Sequence, residues 1–268
     1  MIPRQLIVNA DDFGASLAVN DAVVSAFQTG ILRFASLMVD GPAAADAAAQ
    51  AQANPGLGVG VHLVLCAEAP AAWGLRLLWD REERRRLEDS LSGQLERFLA
   101  WGLKPSHVDS HMNVHVHPAV FPILVRVAKR FGVSRLRWPG GELPASLGYQ
   151  AEAGGAAAPA ILPQLAVSAA YWALGLALKG SARDLELTRS FGMLHSGMMT
   201  EDYLLWLLRR LPEGRTEIYF HPTTEPGSEM SGRPTRTHRT VTELRSLLSP
   251  RVRQAIREAG IELLSARP

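Results

Sequence analysis

Short apolar runs alternate with longer stretches of helical periodicity along nearly the whole chain. Leu6 to Asp12 (LIVNADD) is an apolar run that ends in two carboxylates. Similar runs at Phe34 to Val39, Leu57 to Leu65, Ser134 to Trp138, Thr188 to Leu194, Thr216 to Phe220 and Ile261 to Leu264 carry the pattern of buried strands. Ser16 is placed to cap a helix from Leu17 to Thr29 that Gly30 ends. Further helices are expected over Ala43 to Ala53, Asp80 to Trp101, Pro118 to Phe131 and Glu201 to Leu211, with one or two more over Val241 to Ala259. Gly140 to Gly155 and Thr223 to Thr237 read as loops. Strand and helix in alternation predict a parallel α/β protein, and no linker or repeat divides it, so 1–268 is expected to be one domain.

Composition narrows the class. Over 268 residues, 47% are hydrophobic and 20% charged, ordinary for a globular enzyme. A net charge of +2 excludes the basic footprint of a nucleic-acid binder. The single cysteine, Cys66, allows no internal disulfide and fits a reducing cytoplasm. Leu6-Ile-Val is too short for a secretory core, so a cytoplasmic protein is expected. The segment between Glu152 and Lys179 has no charged residue and reads, over about 156–179, as an apolar insertion or lid. Pro159 and Pro163 break its first part, leaving 164–178, a helix short for a membrane span. Such a helix suits burial, a homodimer interface, or peripheral contact with the inner face of a membrane.

The chemistry concentrates in His107-Val-Asp-Ser-His-Met-Asn-Val-His-Val-His-Pro118, which holds four of the eight histidines. Imidazole and carboxylate together are a usual ligand set for a divalent metal. In an extended chain His107, Asp109 and His111 share one side. Similar residues end other strands: Asp11 and Asp12, His62, and His221 after TEIYF. Parallel α/β barrels gather the ends of their strands on one face, so distant strands can deliver one Asp and two His to one metal. Neighbouring strand residues point apart, so Asp11 and Asp12 both serve one centre only if the chain turns there.

Asn9-Ala-Asp-Asp-Phe-Gly14, Gly60-Val-His-Leu63, His107-Val-Asp-Ser-His111 and Ile218-Tyr-Phe-His-Pro222 resemble, in order, the motifs of the YdjC-like carbohydrate deacetylases. The resemblance implies a distorted TIM-like (β/α) barrel and removal of an acetyl group from an N-acetylated sugar. It also implies one divalent metal, magnesium by usage with zinc or another ion as the alternative, held by Asp12, His62 and His111, with Asp11 as general base. The diacetylchitooligosaccharide enzymes read DSHHHVH where this chain has Met112 and Asn113 in the middle. Together with the uncharged segment, this looks more like the hopanoid-associated HpnK-like branch, implying an N-acetylglucosaminyl hopanoid as substrate.

His221 is the expected general acid and His115 the alternative. Asp109 and Asn9 are expected to support the ligands and the Asp pair from behind. A chitooligosaccharide deacetylase, a phosphoesterase on a similar barrel and a non-catalytic sugar- or lipid-binding module are the competing readings.

Overall fold

Leu6 to Phe13 form a continuous buried run, and β1 (Arg4–Phe13) is the strand around which the sheet closes. The computed structural model describes residues 2–66, 70–153, 173, 178–225 and 240–266. The other strands are β2 (Phe34–Leu37), β3 (Gly58–Leu63), β4 (Val108–Ser110), β5 (Arg135–Pro139), β6 (Glu186–Phe191), β7 (Gly214–Phe220) and β8 (Glu262–Leu263). Every pairing is parallel, in the order β2-β3-β4-β5-β6-β7-β1, and β1 pairs back onto β2. The result is a closed seven-stranded barrel surrounded by helices, a single TIM-like domain as expected.

The distortion has a local cause. β8 pairs with Gln5 and Leu6 of β1, whereas β2 pairs with Asn9, Ala10 and Phe13 farther along. The short eighth strand thus serves the start of β1 and leaves its carboxyl end to β2, where the two Asp residues sit.

The described helices are α1 (Leu17–Thr29), α2 (Ala44–Ala53), α3 (Pro70–Leu77), α4 (Arg81–Ala100), α5 (Phe121–Arg130), α6 (Glu142–Ala153), α7 (Glu201–Arg209), α8 (Val241–Leu248) and α9 (Pro250–Glu258). Ser16 caps α1 through a bond from the Val19 N–H, as the sequence predicts. Gly30 caps the end of that helix, where no larger residue fits: a Cβ there would lie 2.5 Å from the Ala26 carbonyl oxygen and 2.6 Å from that of Leu247. The core is Leu, Val, Ile, Ala and Phe from the barrel strands and the helices around them.

Three expectations need correction. Residues 142–153, read as loop, form α6. Gly141 makes the turn at φ +90°, Glu142 opens the helix, and Pro144 falls in the first turn, where proline removes no helical bond. α3 was not anticipated. α5 begins at Phe121 rather than Pro118, because a 3-10 turn over His111–Val116 comes first. The apolar helix expected over 164–178 lies outside the described residues apart from residues 173 and 178. No helix among the described residues is long and apolar enough to cross a membrane.

Candidate metal centre

Strand register brings the chemistry together. His62 and Asp109 are direct partners across β3 and β4, and His62 Nδ1 lies 2.7 Å from Asp109 Oδ1. That contact fixes Nδ1 on the carboxylate and turns Nε2 outward, toward Asp12 Oδ1 at 3.4 Å. Gly60, two residues earlier, makes room for His107, whose ring would lie 2.5 Å from a Cβ there.

Asp12 solves the problem of adjacent carboxylates through its backbone. Its φ is +62°, in the left-handed region that Asp tolerates better than most residues, and the β1–β2 register shifts between Ala10 and Phe13. The irregularity lets Asp11 and Asp12 both face the mouth. His111, at the carboxyl end of β4, places Nδ1 3.4 Å from the same Asp12 Oδ1. Met112 and Asn113 follow at φ +57° and +54° and bend the chain across the opening.

Asp12, His62 and His111 thus present three ligand atoms within 4.8 Å of one another. Nitrogen and oxygen ligands bound at about 2.0–2.2 Å to one ion stand roughly 3–3.4 Å apart. His111 Nδ1 is buried without a hydrogen-bond partner, an arrangement that a metal would relieve. Four buried carboxylates (Asp11, Asp12, Asp109, Glu217) against two guanidiniums (Arg135, Arg137) leave a formal excess of two negative charges with the histidines neutral, the form that binds metal. The set fits a divalent cation. Asp11, His62 and Asp109 form a second grouping within the same span, but the Arg137 guanidinium occupies its acids and repels a cation.

Arg137 was not anticipated. From β5 its wholly buried guanidinium grips Asp11 with two bonds of 2.6 Å and lies 2.7 Å from both Asp109 Oδ2 and Glu217 Oε1. It stacks over the Tyr219 ring at 4.0 Å. Burial works against the carboxylate form of Asp109, but Arg137 and His62 outweigh it and hold the group far below the usual range. Asn9 adds a bond of 2.9 Å to Asp11 Oδ1 and one of 2.8 Å to the Ser36 hydroxyl, and Ser36 in turn donates to Asp109 Oδ2 at 2.7 Å. Asp109 therefore touches His62, and Asn9 touches Asp11, each from inside the barrel.

His221 follows β7 and puts Nε2 3.8 Å from Asp11 Oδ2, while Nδ1 lies 3.2 Å from Ser196 Oγ. His115 has both ring nitrogens engaged, Nδ1 by Ser110 Oγ at 2.7 Å and Nε2 by the Arg137 carbonyl at 2.9 Å. Burial lowers its pKa to about 4, and neither nitrogen is left to serve a substrate. Asn113 donates to the Tyr219 hydroxyl at 3.2 Å and leaves its own Oδ1 buried without a partner.

Two more buried acids fix the loop beside His221. Glu142 accepts from the backbone N–H groups of Gly192, Met193 and Leu194, and Glu243 accepts from those of Met199 and His221. Burial nevertheless pushes Glu142 up to about 7 and Glu243 up to about 8. A carboxyl whose folded pKa exceeds its unfolded value stabilises the fold below the unfolded pKa and loses that contribution as pH rises through the folded one. The stabilising effect of these two acids should therefore be lost between about pH 4.5 and about 8, and Glu243→Gln should flatten the upper part of that loss in chemical denaturation.

The family model described as "YdjC-like protein" matches residues 5–258. A carbohydrate deacetylase of Geobacillus stearothermophilus is 39% identical over 142 residues, 48% of this chain and 58% of the relative. A chitooligosaccharide deacetylase of Salmonella paratyphi B is 36% identical over 146 residues, 49% of this chain and 58% of the relative. The matched stretch thus spans less than two thirds of either relative. A crystal structure from Enterococcus faecalis V583, described as a candidate for cellobiose-phosphate cleavage, superposes with TM-score 0.69 at 22% identity, covering 98% of this chain and 97% of that one. That likeness is one of fold.

Proposed function

The chain belongs to the YdjC-like family, and from that premise we propose that it removes the acetyl group from an N-acetylated amino sugar with one divalent metal. The observation that carries the reading is the convergence of His62 Nε2 and His111 Nδ1 on Asp12 Oδ1, beside a second carboxylate held by an arginine. A phosphoesterase with two metals finds less support, because the second acidic grouping is filled by Arg137.

A divalent cation held by Asp12, His62 and His111 would polarise the acetyl carbonyl and make water a better nucleophile. Asp11, oriented by Arg137 and Asn9, takes the proton of the attacking water through a lone pair that those bonds leave open. His221 lies 3.8 Å from Asp11 and delivers a proton to the leaving amine. Burial outweighs Asp11 and Asp12 and lowers the His221 pKa, so at neutral pH the proton it gives arrives during the reaction, by way of Asp11. Asn113 Oδ1 would accept from a hydroxyl or the amide N–H of the sugar.

Within this reading the substrate is N-acetylglucosaminyl hopanoid, the HpnK-like assignment, which rests on the chain length, on Asn113 in place of histidine and on the uncharged segment before Lys179. Diacetylchitobiose is the rival. Acetate release from the two substrates side by side decides between them: activity on diacetylchitobiose alone removes the glycolipid reading, and activity on neither removes the deacetylase. Asp11→Asn should lower acetate release by about 100-fold or more, and unchanged release would disprove the base assignment.

The metal is open to titration. Two imidazoles and one carboxylate suit zinc and its transition-metal neighbours better than magnesium, the ion implied by the family resemblance. Burial alone would lower the His62 pKa, but Asp109, Asp11 and Asp12 raise it to about 9. Metal must displace that proton, so affinity should climb with pH toward about 9, by up to about tenfold per unit, in calorimetric titrations with Mg2+, Mn2+ and Zn2+.

A further inference from the structure

Of the large apolar side chains exposed among the described residues, three fall within five positions: Leu75 at 54%, Leu78 at 48% and Trp79 at 63%. They project from the end of α3 and the turn after it. The same helix is anchored from its other side by Leu77, which is fully buried, and by Trp73, which packs on the core. The exposed trio therefore lies on the outer side of a docked helix and the turn that follows it.

Arginines border it. Arg76 is on α3, and Arg81, Arg84, Arg85 and Arg86 follow in the first turns of α4. The nearby acids are largely taken up: Asp80 caps α4, Glu82 lies within 3.9 Å of Arg85 and Arg86, and Glu83 lies 3.6 Å from Arg76. Arg81, Arg84, Arg85 and Arg126, with Glu88, line an open cavity of about 450 Å³. Arg84 also donates to the Leu78 carbonyl at 3.4 Å, which ties the cavity to the apolar trio.

The position matters. Pro118 and Ala119 of the segment that follows the His111 turn form another wall of the cavity. A Cβ on Gly74 of α3 would lie 3.0 Å from His117 Nε2, so α3 itself packs on that segment. The patch flanks the carboxyl end of the barrel, where the candidate metal centre opens.

We propose that Leu75, Leu78 and Trp79, with the arginines around them, form a docking surface for an anionic lipid membrane. Tryptophan and leucine beside guanidiniums are the composition that seats a short helix at the headgroup level. Arginines favour an anionic leaflet. The three side chains offer on the order of 300 Å² of apolar surface, well short of the roughly 800 Å² that each partner brings to a stable protein complex. They protrude and form no groove, as insertion into lipid requires. The glycolipid reading gives this surface its purpose, and the patch is tested without substrate or metal, so either can fail alone.

Co-sedimentation of the full chain with vesicles containing phosphatidylglycerol, compared with pure phosphatidylcholine, is the test. The expected result is at least tenfold tighter binding to the anionic vesicles, weakened by added salt. Leu75→Ser, Leu78→Ser and Trp79→Ser together should reduce it at least tenfold, and so should Arg81→Gln, Arg84→Gln and Arg85→Gln in a separate variant. These side chains are surface groups, and unchanged circular dichroism and thermal unfolding will show that each variant is folded. No binding by the native chain, or native-strength binding by both folded variants, overturns the proposal. Capture of polyglutamate in place of vesicles, lost in the arginine variant, would assign the patch to an acidic protein and also overturn it.

Discussion

Asp12→Asn should bind its divalent metal more than about 100-fold less tightly than the native chain, because loss of an outer-shell partner alone costs about 10- to 100-fold. Asparagine is the replacement of choice. It is nearly isosteric, and it tolerates the left-handed φ of +62° that most residues adopt only at a cost of about 1–2 kcal/mol. It removes the charge that draws His62 Nε2 and His111 Nδ1 to a common point and leaves the backbone as it was. Calorimetric titration should show the loss of affinity, while thermal unfolding in chelator stays close to native or improves, since one buried charge is gone. Native-like affinity would move the centre to Asp11, His62 and Asp109, the other grouping that the geometry allows.

The residues that converge here were legible because each sits at the carboxyl end of its own strand. Asp12, His62, His111 and His221 are separated by long stretches of sequence, and only the alternation of strand and helix says that those ends meet. What could not be read is contact within the barrel. Ser36 looks like an ordinary small strand residue, yet its hydroxyl lies within 2.9 Å of Asn9, His107 and Asp109 side chains. Arg137 and Glu217 did leave a signal. An ionisable group inside a run such as TEIYF needs an opposite charge once both faces of the strand are covered. Pairing them required the β5-β6-β7 order, which the sequence does not state. His115 misled for a related reason: its spacing from His111 suggests an equivalent role. Two left-handed residues in between turn it back onto Ser110 and the Arg137 carbonyl.

Arg137→Met should destabilise the fold by about 3–5 kcal/mol at neutral pH, the usual cost of removing one partner from a buried ion pair. Here one guanidinium serves Asp11, Asp109 and Glu217, so the upper end of that range is expected, a large share of the 5–15 kcal/mol that holds a typical domain together. Arg137→Lys keeps the charge but lacks the planar fork, and it should recover only part of the loss. The pH dependence separates this account from a simple packing defect. In the native chain Asp109 is held below its unfolded pKa, so it adds stability above about pH 4 and loses it as pH falls. Without Arg137, the burial that works against the charged forms of Asp109 and Glu217 is opposed less, so their folded pKa values rise and the stability they contribute falls more as pH rises. The native and Arg137→Met stabilities should therefore converge toward about pH 4 and diverge toward pH 7 in urea denaturation. A gap that stays constant across that range would mean that Arg137 matters for its volume and its stacking on Tyr219, not for the charges it gathers.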